Sequence, residues 1–254
     1  MKIMLEHRET ATPYLKKFFE KFDVVSEGGD LCVVVGGDGT FMRAAGKHDA
    51  PILLIRDGAK GSVGWYSDVS VDDIGMVVEK LISGQYQVET LANKLEVKFN
   101  GRSSYVVNDA VIHAQEGREI SLQVNQISNG RFERLTPKAI PGDGAIITGK
   151  IGSTAYNMSA GGPIVRDPDV MCVTFIAPDS PLRNSIIPAR GSAIEIEVEK
   201  SRGSLLNDGT RAAEVDEGDV ITATVSQQQL RVVTFSEKRE DFSEKFGRVL
   251  RGKL

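Results

Sequence analysis

The spacing of apolar residues changes once along this chain, near Gly84, and that change limits the folds open to it. Before it, Tyr14, Leu15, Phe18, Phe19 and Phe22 recur at steps of three and four, which predicts one apolar face of a helix. Val33 to Val35 and Ile52 to Ile55 are short unbroken apolar runs, the pattern of strands covered on both faces in a parallel sheet. A further helix is predicted over 72–83, with Ile74, Val77, Val78, Leu81 and Ile82 on its buried side and Gly84 as its stop. Beyond Gly84 the period falls to two. Leu95, Val97 and Phe99 alternate with Lys94, Glu96 and Lys98, and Ile194, Ile196 and Val198 alternate with Glu195, Glu197 and Glu199. More strands are predicted over 106–113, 120–124, 171–176, 220–225 and 230–235, set apart by Asn, Gly and Pro turns. Residues 239–254 return to helical spacing through Phe242, Phe246, Val249 and Leu250, with basic residues near the end where the helix dipole favours them. The expectation is an α/β domain at 1–86, a mainly β domain at 87–235, and a helix within 236–254 that packs back on the first. With no repeat or low-complexity linker in sight, the halves are expected to share a firm interface with the active site between them.

Charge and cysteine usage exclude several classes. A formal net charge of -4 without a Lys/Arg cluster gives no footprint for nucleic acid or an anionic membrane. The first residues lack the apolar core of a signal peptide, and no segment has the uninterrupted apolar length needed to cross a bilayer, so a cytoplasmic address is expected. Cys32 and Cys172 each lie inside an apolar run and read as core residues, not as a disulfide or a metal site. His7, His48 and His113 are scattered without ligand spacing, so no metal-binding residues are assigned.

The first chemical signal follows the apolar run 31–35. It is a loop of Gly36, Gly37, Asp38, Gly39 and Thr40. Glycines let a backbone approach an anion, and successive N–H groups in such a turn can cradle phosphate oxygens. A carboxylate would repel an anion there unless it has work of its own, either binding a magnesium ion or taking a proton from an attacking hydroxyl. The combination points to phosphoryl transfer. The loop has neither Walker A nor Rossmann spacing, and a tight strand-to-helix turn is the plain structural alternative.

The second signal is the small and polar stretch 142–165. A long glycine-rich segment costs conformational entropy, so a ligand that needs close backbone is a natural reason for it. Ser153, Thr154, Tyr156 and Ser159 supply hydroxyls, and Asp143 supplies a charged acceptor suited to ribose hydroxyls or an amide. The same stretch also fits a looped corner of a β-sandwich whose hydroxyls satisfy their own backbone.

In order and approximate spacing, Gly-Gly-Asp-Gly-Thr at 36–40, Asn108-Asp109, Asp143-Gly144, and Gly-Ser-Thr-Ala-Tyr at 152–156 followed by Ser-Ala-Gly-Gly-Pro-Ile-Val at 159–165 resemble the NAD kinases. The first motif is shared with diacylglycerol, sphingosine and 6-phosphofructokinases; the later block is particular to NAD kinases. The resemblance implies a Rossmann-like, phosphofructokinase-like α/β N-terminal domain and a sandwich-like β C-terminal domain. It implies transfer of a terminal phosphoryl group from ATP, another triphosphate or polyphosphate to the 2′-hydroxyl of the adenosine ribose of NAD, with Mg²⁺ carried by the substrate. On this resemblance Asp38 is the catalytic aspartate, and Gly36, Gly37, Gly39, Thr40 and Arg43 hold the donor phosphates. Asp38, Gly39, Asn108, Asp109, Asp143, Thr154, Ala155, Tyr156 and Ser159 contact NAD. A homo-oligomer is also implied, a tetramer or dimer in which a neighbouring subunit helps close the NAD pocket.

This chain departs from the family pattern at three places. Gly149-Lys150-Ile151 stands where Thr-Pro-Thr is usual, Arg56 replaces an asparagine in a region with an apparent insertion up to Tyr66, and Asp179 stands where histidine is common. Ile151, with the short N-terminal region, suits an archaeal-type member better than a bacterial one. Two other readings share parts of the pattern: a lipid or sugar kinase built on the same glycine loop, and a dinucleotide sensor without turnover.

Overall fold

A computed structural model describes residues 1–58, 66–236, 244, 246 and 247. The chain divides into two compact units, Met1–Thr90 with Arg231–Leu254, and Leu91–Leu230.

In the first unit the strands are β1 (Lys2–His7), β2 (Asp23–Val24), β3 (Leu31–Gly36), β4 (Ile52–Arg56) and β5 (Val69–Ser70), with helices α1 (Lys16–Lys21), α2 (Asp38–Lys47) and α3 (Ile74–Ser83). The strands pair in parallel in the order β2-β1-β3-β4, with β5 beside the end of β4. Every residue of β3 is buried, as its unbroken apolar run requires. Leu31, Val33 and Val35 join one core with Phe18, Ile74, Val77 and Leu81 from α1 and α3. Cys32 and Val34 alternate to the opposite face, and α2 packs directly on this strand. Gly84 ends α3 at φ 69°, the left-handed stop that its position suggested.

Two helix expectations need correction. The apolar positions from Tyr14 to Phe22 do not form one helix: Glu9–Leu15 is a 3-10 turn holding Pro13, and only Lys16–Lys21 is α-helical. A 3-10 turn commonly leads into an α-helix, and Pro13, tolerated near a helix start, lies ahead of these apolar positions, so the α repeat begins only after Leu15. Tyr14 and Phe19 are left exposed. Ile82 is exposed as well, because the buried face of α3 runs through Ile74, Val77, Val78 and Leu81 and stops there. The expected C-terminal helix lies largely outside the described residues; Glu244, Phe246 and Gly247 are helical.

The second unit is built from the greater part of β6 (Gln87–Phe99), from β7 (Arg102–Val106), β8 (Asp109–Ala114), β9 (Ile120–Ser128), β10 (Arg131–Arg134), β11 (Ile140–Gly142), β12 (Gly144–Thr148), β13 (Cys172–Ile176), β14 (Ala193–Lys200), β15 (Gly203–Asn207) and β16 (Thr210–Val215), and from the greater part of β17 (Val220–Thr234), with the short helix α4 (Tyr156–Ser159); the outer ends of β6 and β17 belong to the first unit. One antiparallel sheet has the order β13-β12-β8-β15-β16, and β10-β9-β14-β17 form a second run. One core joins them. Ile112, Ile147, Val173 and Leu205 of the first pack with Leu122, Val124, Ile194, Ile196 and Ile221 of the second.

Three strand expectations are corrected here. The runs 220–225 and 230–235 form one strand, because the polar residues 226–229 continue extended, with partly open side chains, where a turn was expected. The run 106–113 is broken at Val107 and Asn108, whose N–H groups find a carboxylate in place of a strand partner. Finally, Gly144–Thr148 is not loop but the fully buried strand β12. A Cβ at Gly144 would come 2.0 Å from the Ile112 carbonyl oxygen, so this glycine serves strand packing.

Candidate active site

The phosphate loop leaves β3 at its carboxyl end, the end at which open parallel sheets bind ligands. Gly37 caps α2, and its carbonyl accepts the N–H groups of Thr40 at 3.0 Å and Phe41 at 3.1 Å. Asp38 opens the helix, where a negative charge is favoured by the unpaired N–H groups. Its Oδ1 is buried and has no hydrogen-bond partner among the described residues. Leaving a buried acceptor unmatched costs roughly 1–3 kcal/mol, which the fold bears without any packing return at this atom. Thr40 is buried and closes on Gly36, where a Cβ would come 2.9 Å from the threonine Oγ1. Arg43 is exposed one turn on, its Nη2 3.4 Å from that hydroxyl. Gly39 differs from Gly36. It is exposed, and a Cβ there would meet nothing within 4 Å. Glycine inside a helix costs about 1 kcal/mol relative to alanine, so the fold itself does not ask for it at 39. Register pairs Gly36 with Arg56 of β4, which sets the departing arginine beside the loop. Residues 59–65 of the region that resembles the family's asparagine motif lie outside the described residues.

In the second unit Asn108 and Asp109 sit where β7 gives way to β8. Asp208, which was not singled out in the sequence, holds them. Its carboxylate accepts the N–H of Val107 at 3.0 Å, of Asn108 at 2.6 Å and of Asp109 at 3.3 Å. The Thr148 hydroxyl donates to the Asn108 carbonyl at 2.6 Å, and Gly152 lies so close that a Cβ would stand 1.9 Å from that same oxygen. The Asn108 backbone is therefore fixed on both sides. Its half-buried side chain makes no hydrogen bond among the described residues. Asp109 is 6% exposed, and burial, reinforced by the neighbouring Asp208 charge, pushes its carboxyl up to about 7.

The block 152–163 divides by role. Ser153 is buried and donates to the Lys150 carbonyl at 2.9 Å, so its hydroxyl serves the backbone and is not turned to a ligand. Asn157 is buried too, donating to the Pro163 carbonyl at 2.9 Å and accepting the Thr174 hydroxyl at 2.7 Å. Gly162 packs against that pair, its Cβ position 2.2 Å from Asn157 Oδ1. With Asn157 anchored inward, Tyr156 and Ser159, three residues apart on α4, are exposed, and Thr154 and Ala155 are half-buried. Lys150, new relative to the family pattern, donates to the Leu91 carbonyl at 2.9 Å.

Asp143 stands apart from these. It is exposed just before β12, its backbone tied to Ile176 and Ala114. Asp109 pairs with Thr148 at the far end of that strand, which is 5 residues long, or about 17 Å at ~3.4 Å per residue. The structure does not bring Asp143 beside Asn108 and Asp109 within one chain.

Residues 3–86 match the model of the ATP-NAD kinase N-terminal domain, and residues 95–235 match that of the ATP-NAD kinase C-terminal domain. The chain belongs to the NAD kinase family. Its members are phosphotransferases with an alcohol acceptor. An NAD kinase of Thermoplasma volcanium is 31% identical over 224 residues, covering 86% of this chain and 79% of its own. An NAD kinase of Geobacter sulfurreducens is 33% identical over 236 residues, covering 89% and 78%. In fold, yeast NADH kinase solved with NADH aligns with a TM-score of 0.78 at 21% identity, over 99% of this chain and 87% of that one. The NAD kinase of Archaeoglobus fulgidus solved with ATP gives 0.72 at 24% identity, over 100% and 98%.

Both cysteines are free and buried, Cys32 pushed up to about 12 and Cys172 to about 11 by burial, which makes them inert core thiols as expected. Among the described residues no cluster of three or more His, Cys, Asp or Glu could hold a metal, and no helix is long and apolar enough to cross a membrane.

Proposed function

We propose that this chain phosphorylates NAD, moving the γ-phosphoryl group of ATP, or the terminal group of another triphosphate or polyphosphate, to the 2′-hydroxyl of the adenosine ribose. The observation that carries this reading is the unpartnered, buried Oδ1 of Asp38 beside the open backbone of Gly39. The 2′-oxygen forms a bond to the γ-phosphorus as the bond from that phosphorus to the β-bridging oxygen breaks, and ADP leaves. The hydroxyl proton passes to Asp38, whose free oxygen is matched to a donor that the folded chain does not itself provide. Loop N–H groups at the start of α2, with Arg43 and Arg56, supply positive potential for donor phosphates, and such positioning is most of what phosphoryl transfer asks of a protein. Mg²⁺ belongs in this reading to the donor substrate and is held chiefly by its phosphates. Asn108, Asp109, Thr154, Ala155, Tyr156 and Ser159 contact the dinucleotide.

The separation of Asp143 from Asp109 supports a homo-oligomer, dimer or tetramer, in which Asp143 serves the site of a neighbouring copy. Unpaired buried thiols suit the reducing cytoplasm. A coupled assay for NADP, run with ATP, other triphosphates and polyphosphate, tests the function; no NADP with any donor rejects it. Run over a dilution series alongside sedimentation velocity, the same assay should show the KM for NAD rising as oligomers dissociate. A fully active monomer would reject the shared site and leave the kinase reading intact.

A further inference from the structure

We propose that Asp208 is the positioning residue of the acceptor site, its carboxylate setting the backbone of Asn108 and Asp109 so that their side chains are presented to NAD. This inference rests on reading Asn108 and Asp109 as dinucleotide contacts. Asp208 and Gly209 form the loop of the β15–β16 hairpin, closed by the pair Asn207 and Thr210. Both loop residues have positive φ, 47° and 74°, the geometry of the two-residue turn that favours Asn-Gly and Asp-Gly. Asparagine serves such a turn as well as aspartate does. The hairpin therefore gives no reason for a carboxylate, and a half-buried charge is costly to keep there.

The reason lies across the sheet. Register places Asn207 opposite Ala110, so the turn arrives beside the break that separates β7 from β8. There the Val107 N–H points at Oδ2, and the Asn108 and Asp109 N–H groups point at Oδ1. An ionised carboxylate accepts all three; an amide accepts through one oxygen and turns an N–H₂ toward the third. The contact is reciprocal, since the Asp208 N–H donates to the Asp109 carbonyl at 3.0 Å. With Thr148 holding the Asn108 carbonyl, both the N–H and the carbonyl of Asn108 and of Asp109 are held. Burial raises both carboxyls; at Asp208 the three backbone N–H groups pull the other way and favour the ionised form, and its charge adds to the rise of Asp109.

The test is Asp208→Asn, with Asp208→Ala as the stronger variant. Steady-state rates are measured with NAD varied at saturating ATP and with ATP varied at saturating NAD. Asparagine keeps the turn and one acceptor oxygen, so D208N should fold, raise the KM for NAD about ten-fold, and leave the KM for ATP within two-fold. D208A should raise the KM for NAD further, and if it fails to fold, D208N alone decides. Amide exchange at 107–109 should quicken in D208N independently of any turnover. A KM for NAD that stays within two-fold of the unmutated protein overturns the proposal, as does a parallel rise in both KM values. Unmutated protein that forms no NADP rejects instead the functional reading beneath it, so the two failures are told apart.

Discussion

Gly39 and Gly152 both sit in glycine-rich motifs, and a methyl group added to each meets opposite surroundings. At Gly39 it enters open space; at Gly152 it stands 1.9 Å from the Asn108 carbonyl oxygen. The first glycine leaves room above a helix start, while the second lets two backbones touch. Glycine in a signature can thus be kept for a ligand or for packing, and only the surroundings distinguish them. Hydroxyl groups divide in the same way: Ser153 is consumed by the Lys150 carbonyl, whereas Ser159 is exposed.

The largest effect should come from Asp38→Asn, which keeps the shape of the open site and removes its proton acceptor. Turnover should fall about 10²–10⁴-fold while the melting temperature falls by no more than a few degrees, because no hydrogen bond to the fold is lost at Oδ1 and only the favourable charge at the helix start is removed. More than a tenth of the original kcat would remove Asp38 from that role. Gly152→Ala probes the packed site and should cost about 3 kcal/mol, seen as a drop in melting temperature near 10 °C. Unaltered melting would show that the 148–154 backbone yields easily and would break the contrast.

Beside that contact, Asp109 gives a pH signature. Its carboxyl is pushed up to about 7 in the folded chain, so its contribution to stability is whole below pH ~4 and is lost as pH rises through 7. Asp109→Asn should remove about 1 kcal/mol of the stability that the unmutated protein loses from pH 6 to pH 8, measured by thermal melts. A pH dependence identical in both proteins counts against a buried, protonatable Asp109. The smallest effect is expected for Gly39→Ala. Melting should rise by up to a few degrees from better helix propensity, while the KM for the phosphoryl donor increases several-fold. If both stay constant, the open space above Gly39 has no ligand in it during turnover.

Much of this was readable from the residues because the signals are local. The run 31–40 spells strand, turn and acid in one breath, and the change of period near Gly84 separates two kinds of sheet. What could not be read depends on distant partners. Asp208 lies a hundred residues from Asn108, and its only local signal is an Asp-Gly turn, which many hairpins carry. Ser153 shows the converse limit, since a hydroxyl in a glycine-rich stretch does not announce whether backbone already holds it. The α1 region differs for a nearer reason: its first turn is 3-10, and apolar spacing does not distinguish that from α.

The discontinuity of the first unit also bears on synthesis. Val232 of β17 pairs with Ile52 of β4, and Thr234 donates to Asp68, so an edge translated early waits for residues that follow it by 180 positions. At ~5–20 residues per second, that wait is on the order of ten seconds or more. Leu91–Leu230 leaves the ribosome whole before the first unit can be completed. The phosphate loop, although made first among the functional motifs, belongs to the unit finished last, and its open strand edge is the segment a nascent chain must keep from misjoining.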